Sequence, residues 1–262
     1  MSEATSTPTV ASVAAPIADT VQPAAPPDPE IVADMVVGNR ILFREGVVDG
    51  FGHLSARHDK DPAHFLLARN MAPGLVTPDD IVEFDLDGNP ANAKGRPVYL
   101  ERFIHGEIYR ARPDVMAIVH SHSPSVVPFS IAKGANFCAV CHMSGFIGTS
   151  TPVFEIRDVA GDASSLLITS NELGRALAGS LGDRLLVLMR GHGSTVVAGS
   201  VKQAVYRAVY TEVNARLMMD ALKIGTGIVP LTDGEAKTTL EIVETQIPRA
   251  WGLWKMRAEG DI

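Results

Sequence analysis

Two histidines one residue apart, His120 and His122, close the apolar run VMAIV in the segment VMAIVHSH. The two-residue period of a β-strand puts both imidazoles on one face, which makes a two-point chelate for a metal ion. A third imidazole, His192, stands in RGHG directly after LLVLM, where flanking glycines allow a tight turn that keeps the ring uncovered. Three neutral imidazoles with open coordination positions suit Zn²⁺, Mn²⁺, Fe²⁺ or Co²⁺ better than Ca²⁺ or Mg²⁺. Taken alone, an HxH pair also fits two hydrogen-bonded structural histidines or two exposed ones, so the reading depends on the surrounding elements.

Those elements are read from periodicity. EIVADMVVGNRILFREGVV sets Ile31, Met35, Val36, Ile41, Leu42 and Val47 at helical spacing and predicts a helix from Pro29 through about residue 46. GFGHLSAR and FLLARN read as short strands joined by the charged turn DKDP, and DIVEFDLDGNP as a strand entering an Asp-Gly/Asn-Pro turn, an antiparallel, hairpin-like arrangement. In LERFIHGEIYRARPDV the apolar residues Leu100, Phe103, Ile104 and Ile108 share one helix face, which stops near Pro113. VMAIVHSH is a buried strand. A short helix and a Gly-rich stretch follow. SLLITSNELGRALAGSLG then predicts a strand and a helix, LLVLMRGHGSTVVAG two strands about a turn, and SVKQAVYRAVYTEVNARLMMDALK a long amphipathic helix. Strands and helices interleave, which fits a helix-covered sheet in one α/β domain over residues 29–262.

Composition narrows the classes of function. With 46% hydrophobic and 20% charged residues the 262-residue chain can bury a sizeable core. A net charge of −7 leaves no basic stripe for a phosphate backbone, so nucleic acid is excluded as a partner and a small anionic substrate must be captured by local positive groups. Residues 1–28, rich in Ala, Pro, Thr and Val, lack periodicity and read as a disordered tail without the pattern of a secretory signal. No run of about 18 apolar residues is present to span a bilayer, and a cytoplasmic protein is expected. The two cysteines fall in CAVCH, Cys138 to His142, which spells a c-type haem attachment; that reading needs export, and a two-cysteine metal or redox pair competes with it. The preferred reading is small buried packing residues.

The arrangement ERFIHGEIYRARPDVMAIVHSHSP, then RGHG and the helix VYRAVYTEVNAR, resembles the class II aldolase/adducin family over roughly residues 30 to 225. The resemblance implies a three-layer α/β/α domain around a mainly antiparallel central sheet. It also implies one divalent metal per chain (Mn²⁺ or Zn²⁺, with Fe²⁺ or Co²⁺ as alternatives) held by His120, His122 and His192, with Glu101 as the acid/base residue beside it. A homotetramer with sites between neighbouring subunits is implied as well, and the length of the apolar-rich helix over residues 201–223 is consistent with a shared face.

Departures from the sugar-phosphate aldolases are informative. Their small hydroxyl residues ahead of the glutamate are here Tyr99 and Leu100, their GNxS turn is Gly52-His53-Leu54-Ser55, and their TPTG loop is Ala68-Arg69-Asn70-Met71. Each change removes a means of holding phosphate. The segments VVDGFGHLSARHD, MAPGLVTPDDIVEFD, YLERFIHGEIYRARPDV and VCHMSGF are instead similar to the decarboxylating branch that acts on 3-hydroxy-2-methylpyridine-4,5-dicarboxylate. That implies a metal-dependent carbon–carbon lyase, a carboxy-lyase taking a hydroxylated aromatic or pyridine carboxylate.

Glu101 or His53 would move the proton, and Arg57 and Arg69 would clamp a second carboxylate. Tyr99 would face the flat ring, and His142 is a further substrate-binding candidate. Plainer readings stand beside these: Glu101 pairing with His105 four residues on, Arg57 and Arg69 as salt-bridge partners, Tyr206 and Tyr210 as packing, His58 and His64 as solvated. Rival functions are a class II aldolase of non-phosphorylated substrates, a non-catalytic adducin-like interaction domain, and the iron-dependent oxygenation some relatives perform.

Overall fold

Asp28 begins the first helix: its carboxylate accepts the Glu30 N–H at 2.8 Å and Pro29 occupies the first turn, so α1 (Pro29–Arg44) starts where sequence predicts. It ends at Arg44, two residues before the expected boundary, and Gly46 just beyond it has a φ of 71° in the left-handed region. The computed structural model describes residues 17–260. In chain order the remaining elements are β1 (His53–Arg57), β2 (His64–Ala68), β3 (Ile81–Asp85), α2 (Arg102–Ala111), β4 (Ala117–Ser121), α3 (Val127–Ile131), β5 (Val153–Phe154), α4 (Arg157–Ala160), α5 (Asn171–Leu181), β6 (Leu186–Met189), β7 (Gly193–Ala198), α6 (Val201–Ile224), α7 (Asp233–Val243) and α8 (Ile247–Glu259).

The strands form one seven-stranded sheet in the order β3-β2-β1-β4-β7-β6-β5, antiparallel except for the β5–β6 pair. Alternation along the strands builds two cores. Leu54, Ala56, Ala117, Val119, Val196 and Ala198 pack with α1, α6 and α8. Leu67, Phe84, Ile118 and Val197 pack with α2 and α5 on the opposite face. This is the expected α/β/α sandwich around a mainly antiparallel sheet. Because side chains alternate, His53, Ser55 and Arg57 of β1 and His120 of β4 share the face of Ile118, beneath α2.

Two expectations change, and one segment without an expected element gains one. SLLIT forms no strand: Leu166 takes a φ of 67°, and the sheet is completed by Val153–Phe154. The segment around Trp251 and Trp254 is helical, α7 and α8, and both tryptophans are buried. Residues 17–28 of the expected tail form an extended strap along the β3 end of the sheet, with Thr20 N–H donating to Pro90 O, Ala24 N–H to Glu83 and the Asp19 carboxylate accepting from Ala93 and Lys94. The strap thus bonds the segment 89–94, which itself covers the β3 edge through Ala91 N–H donating to Glu83 O and Asp85 N–H donating to Asn89 O. The expectation for residues 1–16 lies outside the described residues. Among the described residues no helix is long and apolar enough to cross a membrane.

Candidate metal centre

His120 is the next-to-last residue of β4, His122 follows the strand, and His192 sits in the β6–β7 turn, so three segments converge. The turn depends on its glycines. Gly191 has a φ of 65°, and a Cβ at Gly193 would lie 2.1 Å from Ser121 O, a contact no side chain survives. The imidazoles point at one another: His120 Nε2 and His122 Nε2 are 3.1 Å apart, and His122 Nε2 and His192 Nε2 are 3.0 Å apart. Glu101, at the N-terminal end of α2, places Oε2 3.6 Å from His120 Nε2 and 3.5 Å from His192 Nε2. The four ligand atoms lie within 4.8 Å of one another, and this is the only such cluster among the described residues.

The donor set fits a divalent metal. Three ring nitrogens and a carboxylate oxygen converge more closely than neutral imidazoles gain from hydrogen-bonding one another, and the outer contacts hold them there. His192 Nδ1 donates to Leu166 O at 2.9 Å, leaving Nε2 as the lone-pair nitrogen facing the cluster. Glu101 Oε1 accepts the Ile168 N–H at 2.9 Å, which leaves Oε2 for the site. His120 Nδ1 lies 3.3 Å from Thr195 Oγ1. The loop after His122 is tied to α6 through Glu212, which accepts from Ser123 Oγ at 2.6 Å.

Electrostatics favour neutral rings at two of the three positions. Burial, reinforced by neighbouring histidines, holds His120 far below the ordinary imidazole value and lowers His122. For His192 burial also acts downward, but the Glu101 carboxylate and Leu166 carbonyl more than offset it and its value is raised.

Above the cluster lies a cavity of about 260 Å³ whose walls include Phe51, Met71, Tyr99, Leu100 and Leu167, with His53, Glu101 and His122 also exposed in it. It contains no Lys or Arg. Tyr99 packs against His53, ring centroids 4.7 Å apart with the planes tilted by 46°, and its hydroxyl donates to Met71 O; burial pushes that hydroxyl up to about 12.

The structure brings His53, Tyr99, Glu101, His120, His122 and His192 together and leaves the other candidates elsewhere. Arg57 does not clamp a carboxylate here. It is buried at the far end of β1, and its guanidinium donates to the carbonyls of Val115, Pro62, Tyr109 and Arg112, which engages four of its five N–H groups. Arg69 is paired with Asp80 at 2.6 Å and does not line the cavity. His142 lines a different cavity, of about 540 Å³, with Tyr206, Tyr210 and Trp254, so it does not face this site.

Glu101 does not pair with His105, which instead bonds His53 and Ser55. His58 and His64 are not solvated: His58 is buried, and His64 is bonded to Glu83. Cys138 is buried and Cys141 half-buried, both free, and burial raises the Cys138 thiol. Leu166, Leu167 and Ile168 escaped the sequence reading because they act through backbone groups and an apolar wall, neither of which has a motif.

The profile of the Class II Aldolase and Adducin N-terminal domain family matches residues 33–219. The Decarboxylase tropJ of Talaromyces stipitatus is 37% identical over 250 residues, covering 87% of this chain and 94% of its own. A 3,4-dihydroxyphthalate decarboxylase of Arthrobacter keyseri is 34% identical over 210 residues, covering 75% and 80%. Among solved structures, an aldolase II superfamily protein from Pseudomonas syringae superposes with a TM-score of 0.73 at 20% identity, covering 90% of this chain and 94% of its own.

Proposed function

The chain belongs to the class II aldolase and adducin family, and from that premise we propose that it is a metal-dependent carboxy-lyase that decarboxylates a hydroxylated aromatic or pyridine carboxylate. The observation that carries this reading is the meeting of a three-histidine, one-carboxylate cluster with a largely apolar cavity. Decarboxylases of 37% and 34% identity support the reaction class. The absence of Lys and Arg from the cavity, with Tyr99 and Leu100 on its wall, argues against a sugar phosphate.

His120, His122 and His192 would hold one Mn²⁺ or Zn²⁺. When bound, the metal would supply a Lewis acid for the oxyanion that develops as the carbon–carbon bond breaks, worth several kcal/mol. The chain's own groups do the rest. Tyr99 and Leu100 hold the ring by its apolar surface and exclude water, and Tyr99 keeps its phenol proton because burial disfavours ionisation. Loss of CO₂ leaves an electron pair on the ring carbon, which takes one proton. Glu101 is the group for that transfer, since its Oε1 is anchored by Ile168 while Oε2 stays at the cluster.

The test is to offer 3-hydroxy-2-methylpyridine-4,5-dicarboxylate, dihydroxyphthalates and fuculose 1-phosphate side by side to protein loaded with Mn²⁺ or Zn²⁺. Release of CO₂ from an aromatic acid alone is the expected result. Aldehyde release from the sugar phosphate without CO₂ from any acid would replace the proposal with an aldolase.

A further inference from the structure

Behind the candidate site runs a chain of four buried polar groups that the proposed chemistry does not use. Tyr109 OH lies 2.8 Å from Ser55 Oγ, Ser55 Oγ lies 2.6 Å from His105 Nδ1, and His105 Nε2 lies 2.7 Å from His53 Nδ1. Tyr109, Ser55 and His105 are each at most 1% exposed, so bulk solvent does not reach them.

Proton accounting fixes the direction of the chain. Among the described residues Ser55 Oγ is the only hydrogen-bond partner of the Tyr109 hydroxyl, and the neighbouring Arg57 guanidinium, which has no acceptor to offer, bonds four backbone carbonyls. Tyr109 therefore donates to Ser55, because the reverse would strand a phenol proton in the core at a cost of about 1–3 kcal/mol. Ser55 must then donate to His105 Nδ1. His105 is kept neutral by burial, so its one proton sits on Nε2 and is donated to His53 Nδ1.

We infer that Tyr109, Ser55 and His105 are positioning residues that lock His53 in the tautomer with its proton on Nε2, so that His53 offers the cavity a hydrogen-bond donor rather than a base. His53 lines the cavity, and Nε2 is the ring nitrogen the chain leaves free. The chain ends at a buried phenol with no outlet, so it orients and does not supply a net proton. A neutral N–H at this point selects an oxygen acceptor, a carboxylate or ring-oxygen atom of the substrate, and leaves proton transfer to Glu101. This assignment rests on the proposed function for its substrate, but not for its tautomer.

The test separates the two. Long-range ¹H–¹⁵N correlation spectra of the full-length Zn²⁺-loaded protein, labelled at histidine and assigned by comparison with His53→Asn, report the tautomer with no substrate present. A pyrrole-type Nε2 and pyridine-type Nδ1 at His53 is the expected result; the reverse overturns the inference whatever reaction the enzyme performs. With a turned-over acid in hand, His105→Leu is expected to lower kcat 10- to 100-fold at unchanged KM and metal content, as lost outer contacts do. His105→Gln, which keeps an N–H donor, restores most of it. Equal loss in both variants, or loss in neither, contradicts the inference, and if His105→Leu does not fold the wild-type spectrum decides alone.

Discussion

His53 of β1 lies directly opposite His120 of β4 in antiparallel register, with ring centroids 5.0 Å apart. One strand pairing thus couples the histidine–carboxylate cluster to the buried chain behind it. A residue slip between β1 and β4 would turn one of the two rings to the opposite core, so the register is part of the site.

Glu101→Gln should separate proton transfer from architecture. Glutamine keeps an oxygen for the Ile168 N–H but cannot exchange a proton. The expected outcome is a fall in kcat of about 10²- to 10⁴-fold with the fold intact. A kcat within a few-fold of wild type would remove Glu101 from the proton-transfer role.

Arg57→Met should behave as a stability mutation and not as a binding one. Its four backbone carbonyl partners would lose their donor. Urea denaturation is expected to show a loss of about 3 kcal/mol or more, with KM of the folded fraction unchanged. Arg69→Met, which opens a partly exposed pair with Asp80, should cost about 1 kcal/mol or less. A rise in KM from Arg57→Met without loss of stability would restore the carboxylate clamp.

Acid should destabilise the fold through His105. Burial lowers its value to about 3, below the ordinary 6.5 of an unfolded chain. Above pH 6.5 both states are neutral, whereas between 6.5 and about 3 only the unfolded state takes the proton. Stability therefore falls as pH drops through that window, by up to about 1.4 kcal/mol per unit for this one group. His53, also held low by burial, acts in the same direction. Denaturant titrations of chelator-treated protein at pH 7 and 5 check this, and equal midpoints at equal m would contradict it.

A homotetramer is expected in solution. Most of α6 is covered by its own chain, but Leu217, Leu222 and Ile224 near its end and Ile242 and Leu253 beyond it are exposed. Light scattering at working concentration should return four times the 27.9 kDa chain mass. A monomer mass would leave those residues without the proposed cover.

The histidine cluster was legible because each part carries a local signal: a period-two strand brings His120 and His122 to one face, and RGHG marks a turn only glycine permits. The central strands and α6 were legible for the same reason. What escaped depends on contacts distant in sequence. Nothing local tells Arg57 that four carbonyls surround it, or places His142 in a cavity on the α6 side. SLLIT reads as a strand by composition, yet the carbonyl of Leu166 and the N–H of Ile168 serve His192 and Glu101 instead of a neighbouring strand. His105 looked like a helix-surface partner of Glu101, and only the β1 register shows that it faces His53 and Ser55.

The most direct measurement follows ¹³CO₂ from a carboxyl-labelled hydroxy-aromatic acid while Mn²⁺ or Zn²⁺ is titrated into chelator-treated protein, wild type beside His120→Ala. The account predicts ¹³CO₂ release that saturates at one metal per chain in the wild type and is lost, together with the bound metal, in the variant. Full release from chelated protein, or full metal content and rate in His120→Ala, would contradict it.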